Sequence, residues 1–193
     1  SATITQPAAS LAATITAQTN IVCFGDLTGS ATVTATGGTP GYTYSWAPSG
    51  GTAATASNLA AGTYIVTVTD AGGCTTTATA IISQPPGPLL PPVVSANQQI
   101  CANAVPATLT ATAASGGTGP YTYQWQSSPD GLAPWTDINL ATSLSYSPPA
   151  LTTTTYYRIV ATDGGTPSCP SVPSLSVVIT VNPLPATSPV YHN

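Results

Sequence analysis

Four cysteines, five aspartates, one arginine and one histidine make up the thiol-bearing and ionic side chains of this 193-residue sequence, apart from its tyrosines. They are Cys23, Cys74, Cys101 and Cys169, then Asp26, Asp70, Asp130, Asp137 and Asp163, then Arg158 and His192. Lysine and glutamate are absent. An even cysteine count among short strands and loops reads as a disulfide framework, for which four cysteines allow three pairings. Cys23 and Cys74 bracket one copy of a repeated motif, and Cys101 and Cys169 bracket the other. The expected pairs are therefore Cys23–Cys74 and Cys101–Cys169. Four buried free thiols are the alternative, and zinc is weaker still, because no CxxC or histidine cluster is present.

Catalysis is hard to assemble from this set. A Ser–His–Asp arrangement would depend on His192, inside a Pro-rich tail, where chain ends are poorly ordered. A carboxylate pair would have to come from aspartate alone. Asp130 and Asp137 flank Gly131 and Trp135 in a loop, but glycosidic chemistry needs a defined carboxylate separation and a deep cleft. The expectation is a non-enzyme with no cofactor and no metal site. Segment 127–140 is the best recognition candidate, with Trp135, Asp130 and Asp137 as candidate glycan contacts, since aromatic-plus-carboxylate loops suit sugars. The plainer reading, which we prefer, is that Trp135 covers a sheet edge. Asp70 and Asp163 each precede a Gly-rich turn and read as turn formers. Calcium would need more clustered oxygens than five scattered aspartates supply.

Charged residues are 3% of the chain and hydrophobic ones 42%, against about 25% charged in ordinary soluble proteins. One cation cannot neutralise a run of phosphates, which excludes nucleic acid. Attachment to an anionic membrane surface fails on the same ground, and no apolar run approaches the roughly 20 residues of a spanning helix. Solubility must come from Thr, Ser, Asn and Gln. A low-charge surface is a liability in a monomer and costs little in an assembly. Together with the cysteines this points to an extracellular, cell-surface location. The chain begins at Ser1 and reads as processed, or as part of something longer.

The elements that must position these residues are strands. Apolar and Thr residues alternate with period two: Ala31, Val33 and Ala35; Tyr64, Val66 and Val68; Leu109 within 107–113; and Leu175, Val177, Ile179 and Val181. Such strands suit antiparallel sheets with one wet face. The motif GGTPGYTYSW at 37–46 returns as GGTGPYTYQW at 116–125. A long internal repeat of turn and strand residues marks tandem β-domains. Trp46 and Trp125 then read as core plugs between two sheets. A second repeat, YIVTVTD at 64–70 and YRIVATD at 157–163, leads in each copy through Gly-rich turn residues to a cysteine. A third links the ends, since ATITQP at 2–7 resembles AIISQP at 80–85. Residues 2–6 (Ala2, Thr3, Ile4, Thr5 and Gln6) thus look like the closing strand of a preceding domain, available for strand addition to a neighbour.

The organisation expected is a closing strand or linker at 1–9 and a first sandwich at 10–86. A Pro-rich linker follows at 87–92, then a second sandwich at 93–183 and a tail at 184–193. The fold class is all-β, two tandem immunoglobulin-like antiparallel β-sandwich domains.

At these residues the chain resembles a known family. Residues 2–86, with ITQP, Cys23, GGTPGYTYSW, AAGTYIVTVTDAGGC and ISQP, look like the SprB repeat of Bacteroidota surface proteins. Residues 93–182, through Cys101, YTYQW and TTTYYRIVATD, look like the immunoglobulin-like domains that accompany such repeats. The resemblance implies a secreted, modular protein with an adhesive or mechanical role and carries no catalytic residues. It departs from the antibody-type sandwich, because Tyr64 lies well before Cys74 rather than two residues before it. The expected function is a structural repeat unit of a surface filament, stalk or adhesin. Its partners would be neighbouring domains or identical subunits. A polysaccharide-binding adhesin module, or an accessory domain of a secreted enzyme, is the alternative.

Overall fold

The computed structural model describes residues 9–165 and 168–184. Among them there are strands and turns but no helix, and the chain divides into two compact units, Ser1–Pro88 and Leu89–Asn193. The all-β fold class, with each unit a sandwich, is as expected.

Among the described residues the first unit has six strands: β1 Ala12–Thr19, β2 Gly29–Thr36, β3 Thr43–Ala47, β4 Thr55–Leu59, β5 Gly62–Thr69 and β6 Thr75–Ile82. They form two three-stranded antiparallel sheets, in the orders β1-β2-β4 and β3-β5-β6. The period-two pattern sets which side chains meet. Ala31 and Val33 of one sheet and Trp46, Tyr64, Val66, Val68, Ala80 and Ile82 of the other are buried in one shared core. Each fully buried Val or Ile contributes roughly 1.5–3 kcal/mol. The wet faces carry threonine in place of charge. Thr16 and Thr34 pair through their hydroxyls at 3.1 Å, as do Thr32 and Thr55 at 2.9 Å. Such cross-strand pairs tie neighbouring strands without ions. Gln18 Nε2 donates to the Ile81 carbonyl at 2.6 Å and Ser83 N donates to Asn20 Oδ1 at 3.0 Å, joining the two sheets at one edge.

Among the described residues the second unit has eight strands: β7 Gln98–Cys101, β8 Leu109–Thr110, β9 Tyr121–Ser128, β10 Thr136–Asp137, β11 Ser145–Tyr146, β12 Thr155–Asp163, β13 Val172–Pro173 and β14 Val177–Asn182. The larger sheet runs β10-β9-β12-β14-β7 with β13 also on β12, and β8 and β11 form a small second sheet. All its pairings are antiparallel except β14 with β7. Leu109 from the small sheet meets Trp125, Ile159, Val177 and Ile179 from the large one. The rings of Trp125, Tyr146 and Tyr157 pack at centroid separations of 6.0 and 5.8 Å. Burial, aided by Tyr146, pushes the Tyr157 phenol up to about 12. Both tryptophans of the repeated motif are core plugs, as expected, with Trp125 fully buried and Trp46 nearly so.

Two alternating runs are shorter than the pattern suggests. Leu175 is 88% exposed rather than aligned with Val177 and Ile179. Ser174 is buried in its place: its hydroxyl accepts from Ile159 N at 3.1 Å and donates to the Leu175 carbonyl at 2.8 Å, so β14 begins only at Val177. In 107–113 only Leu109 and Thr110 form a strand. Thr112 turns its hydroxyl to Val93 N, and Ala107 N is bound to the Gln98 side chain.

Candidate functional site

The repeated motif builds the same clasp in each unit. In the first, the Gly-Gly-Thr turn leaves β2 with Gly37 and Gly38 at φ 69° and 59°, a region favouring glycine. Asp70, just beyond β5, reaches this turn. Its Oδ2 accepts from Thr39 N at 2.8 Å and its Oδ1 from Cys74 N at 2.8 Å. A Cβ on Gly38 would lie 2.5 Å from Asp70 Oδ2, so glycine is required there by approach as well as by φ. Tyr42 then donates its hydroxyl to the Gly37 carbonyl at 2.6 Å. In the second unit Asp163, closing β12, accepts from Thr118 N at 2.7 Å and from Thr118 Oγ1 at 2.8 Å. A Cβ on Gly117 would lie 2.2 Å from Asp163 Oδ2, and Tyr121 donates to the Gly116 carbonyl.

Both carboxylates are buried and ionised. The Thr39 N–H holds Asp70 below its ordinary value against the opposing effect of burial, with the Cys74, Gly72 and Gly73 N–H groups assisting. For Asp163 burial acts upward and is the largest single influence. The N–H and hydroxyl of Thr118 and the N–H groups of Gly165 and Gly119 outweigh it. In each clasp both carboxylate oxygens already accept a hydrogen bond from the turn or its neighbours. The two aspartates expected as turn formers are therefore turn formers and also tertiary ties. The threonines and tyrosine hydroxyls that complete the clasp were not singled out from sequence, although both copies carry them at matching positions.

The recognition candidates divide. Asp137, Gln126 and Arg158 stand opposite one another across β10, β9 and β12. Gln126 Nε2 donates to Asp137 Oδ1 at 2.7 Å, while Arg158 Nε donates to Gln126 Oε1 at 2.7 Å. The Arg158 guanidinium lies 4.4 Å from the Trp135 ring centroid. Trp135 and Asp137 thus belong to one row on the sheet face opposite the core. One face of the Trp135 ring is covered by the sole cation of the chain, in a cation–π contact. Asp130 is not part of this row. Its Oδ1 accepts from Ser128 Oγ and Leu132 N, each at 2.9 Å, within its own turn, which lowers its proton affinity. The row brings together a guanidinium, an amide, a carboxylate and an indole ring. Gln126, at its centre, was missed because a lone glutamine carries no sequence signal.

No group of three or more His, Cys, Asp or Glu among the described residues could hold a metal ion. A mostly apolar cleft of about 490 Å³ lies between residues 91–97 and Leu175 and Ser176 in the second unit. Residues 2–6, expected to be available for strand addition, and His192 lie outside the described residues.

The cysteine pairing differs from expectation. Cys23 and Cys169 are disulfide-bonded, whereas Cys74 and Cys101 are exposed free thiols. The expected pairs do not form because each spans its own unit. Cys23 lies beside the end of β6, where Ile21 N donates to Ser83 O and Gly25 N to the Gln84 side chain. Cys74 precedes the first residue of β6. Eight strand residues separate them by roughly 25 Å, against a Cα limit of about 7 Å for a disulfide. Cys101 stands opposite Asn182. Cys169 lies beyond the other end of β12, between Asp163 and Val172, which pairs with Ala161.

Residues 15–51 match the SprB repeat, and residues 91–183 match a domain of unknown function, DUF8696. No curated protein matches. Among solved structures, domains of titin are 17% identical, with 79% of this chain and 58% of that one covered, at a TM-score of 0.38. The N-terminal eight Ig domains of Down Syndrome Cell Adhesion Molecule are 14% identical, with 91% and 25% covered, at 0.40. Domains 1–6 of the surface layer protein SbsC are 17% identical, with 94% and 28% covered, at 0.38. The chain thus spans little more than half of the titin structure and about a quarter of the other two.

Proposed function

We propose, for a chain whose residues 15–51 carry an SprB repeat, that it is a non-catalytic structural repeat unit of an extracellular surface protein. The observation that carries this reading is the recurrence of one clasp, Gly-Gly-Thr tied to Asp with a Tyr hydroxyl on the first Gly, in both units. A device repeated in tandem, in which an aspartate, a Gly-Gly-Thr turn and a tyrosine hydroxyl hold one another, serves shape. The faces of threonine in place of charge favour the same reading, since a surface of this kind suits dense assembly better than solution.

The finer proposal concerns assembly. ATITQP at 2–7 resembles AIISQP at 80–85, whose first residues end β6, the strand that closes its sheet on β5. Residues 2–6 would play that part in a preceding domain or identical subunit, by strand addition. Its partners are then neighbouring domains or copies of itself.

Immunogold labelling of intact cells that produce the chain tests the location. Label on the outer surface without permeabilisation is expected. Label seen only after permeabilisation would overturn the reading.

A further inference from the structure

The four cysteines have a placement that the proposed repeat role does not use. Each unit has an end where the chain enters and an end where it leaves. In the first unit the entry end holds Ala9, whose carbonyl accepts from Gly38 N, and the clasp around Asp70; Cys74 is there. The exit end holds Ser83 and Gln84; Cys23 is there. In the second unit Leu90 pairs with Ser115 at the entry end, with Gly117 and Asp163 close by, and Cys169 follows Asp163. At the exit end Cys101 stands opposite Asn182, and Ala102 N donates to the Asn182 carbonyl.

The two disulfide-bonded cysteines thus occupy one exit end and one entry end, and so do the two free ones. Cys101 marks the exit of the second unit and Cys74 the entry of the first. The Cys101 end also shows exposed apolar side chains, Val105 at 69% and Leu132 at 66%. The exit end of the first unit, around bonded Cys23, likewise shows Phe24 and Leu27. Exposed thiols in a chain that already carries a disulfide will not persist unpaired in an oxidising compartment.

We propose that Cys101 of one copy forms a disulfide with Cys74 of the next, so that copies of this chain join head to tail. Unlike a two-fold contact, a head-to-tail contact between two different surfaces leaves a free end on each added copy, and it runs on as a filament unless its rotation closes a ring. The chemistry is thiol–disulfide exchange. The Cys101 thiolate attacks a small-molecule or enzyme disulfide and forms a mixed disulfide, releasing one thiol. The Cys74 thiolate of the next copy then displaces the second thiol. Two protein thiols lose two protons and two electrons, and the donor disulfide is reduced to two thiols. The proposal rests on the surface-repeat reading only for the oxidising compartment, and the chemistry can be tested apart from it.

Light and isotopically heavy full-length chains, mixed and treated with oxidised glutathione, give the test. The expected result is a ladder on non-reducing gels that collapses with reductant, together with Cys74–Cys101 peptides joining light to heavy. Cys74→Ser and Cys101→Ser variants should each stay monomeric alone and stop at a dimer when mixed. Both sites are exposed, and an unchanged unfolding temperature verifies folding. Thiols that end only as glutathione adducts would overturn the proposal. So would Cys74–Cys101 links confined to single chains, or Cys74–Cys74 and Cys101–Cys101 links in like amount. Such a failure leaves surface labelling untouched, and a failure of surface labelling leaves this chemistry readable in vitro.

Discussion

The backbone N–H of Thr118 donates to Asp163 Oδ2 at 2.7 Å across 45 positions of sequence, and Thr39 repeats the bond to Asp70 at 2.8 Å across 31. In each unit an ionised carboxylate at the end of one strand fixes the turn that launches another. That turn in turn aims the Tyr-x-Tyr-x-Trp strand at the core.

Removing the carboxylate should therefore loosen a whole unit. Asp163→Ala should destabilise the second unit by about 1.5–3 kcal/mol, the usual worth of a hydrogen bond to a charged group. Gly117→Ala should act on the same contact, because its Cβ would meet Asp163 Oδ2. In a double-mutant cycle read by urea unfolding the two effects should fall short of their sum. Full additivity would mean that the clasp is not shared.

Acid should open the clasps. Asp70 and Asp163 are held below the ordinary carboxylate value in the folded state. Their stabilisation is complete above the unfolded value of about 4 and is lost as pH falls through the lowered folded values. Unfolding temperature should be level from neutral pH down to about 5 and fall below about 4. An Asp70→Asn, Asp163→Asn double variant should start lower and lose less over the same window. At the alkaline end, Tyr157 stays neutral up to about 12 in the fold. An unfolded tyrosine ionises near 10, so stability should decline above about pH 10.

Core and surface aromatics should separate cleanly. Trp125 is fully buried and its Nε1 donates to the Ser143 carbonyl at 2.9 Å. Trp125→Ala should cost about 3–5 kcal/mol. Trp135→Ala gives up a surface cation–π contact worth about 0.5–1 kcal/mol. Denaturant titration of the two variants checks the contrast.

Native-state alkylation should label Cys74 and Cys101 of the separated chain and spare Cys23 and Cys169. Peptide mass spectrometry without reductant reads this directly. Labelling at all four positions would contradict the arrangement.

Arg158 is the single tryptic site and lies inside β12, paired to β9. Proteases need an extended, accessible backbone, so the folded chain should survive trypsin and be cut once after denaturation. Fast cleavage under native conditions would show that the central sheet opens readily.

Much of this was legible beforehand because the informative residues act locally. Alternation along 31–36 and 64–69 fixes which face is buried, and the two GGT…YTY…W segments announce two similar domains. Trp46 and Trp125 sit where the motif places them. What sequence order hides is distance. Cys23 and Cys74 bracket a motif in the chain yet lie at opposite ends of the unit, because β6 carries the backbone from one end to the other. The row from Asp137 through Gln126 to Arg158 depends on register across three strands, which no single segment encodes. Leu175 kept the alternation of its neighbours and still left the core, because the Ser174 hydroxyl satisfies the backbone of Ile159 there.

The central claim is that this two-unit chain is a repeating structural element at a cell surface. Cryo-electron imaging of native surface material from cells that produce it tests this most directly. The account expects pairs of β-sandwiches recurring along an extended assembly, with residues 2–6 of each copy completing a sheet in the one before. Isolated two-domain particles, with no periodic neighbour and no such strand, would contradict it.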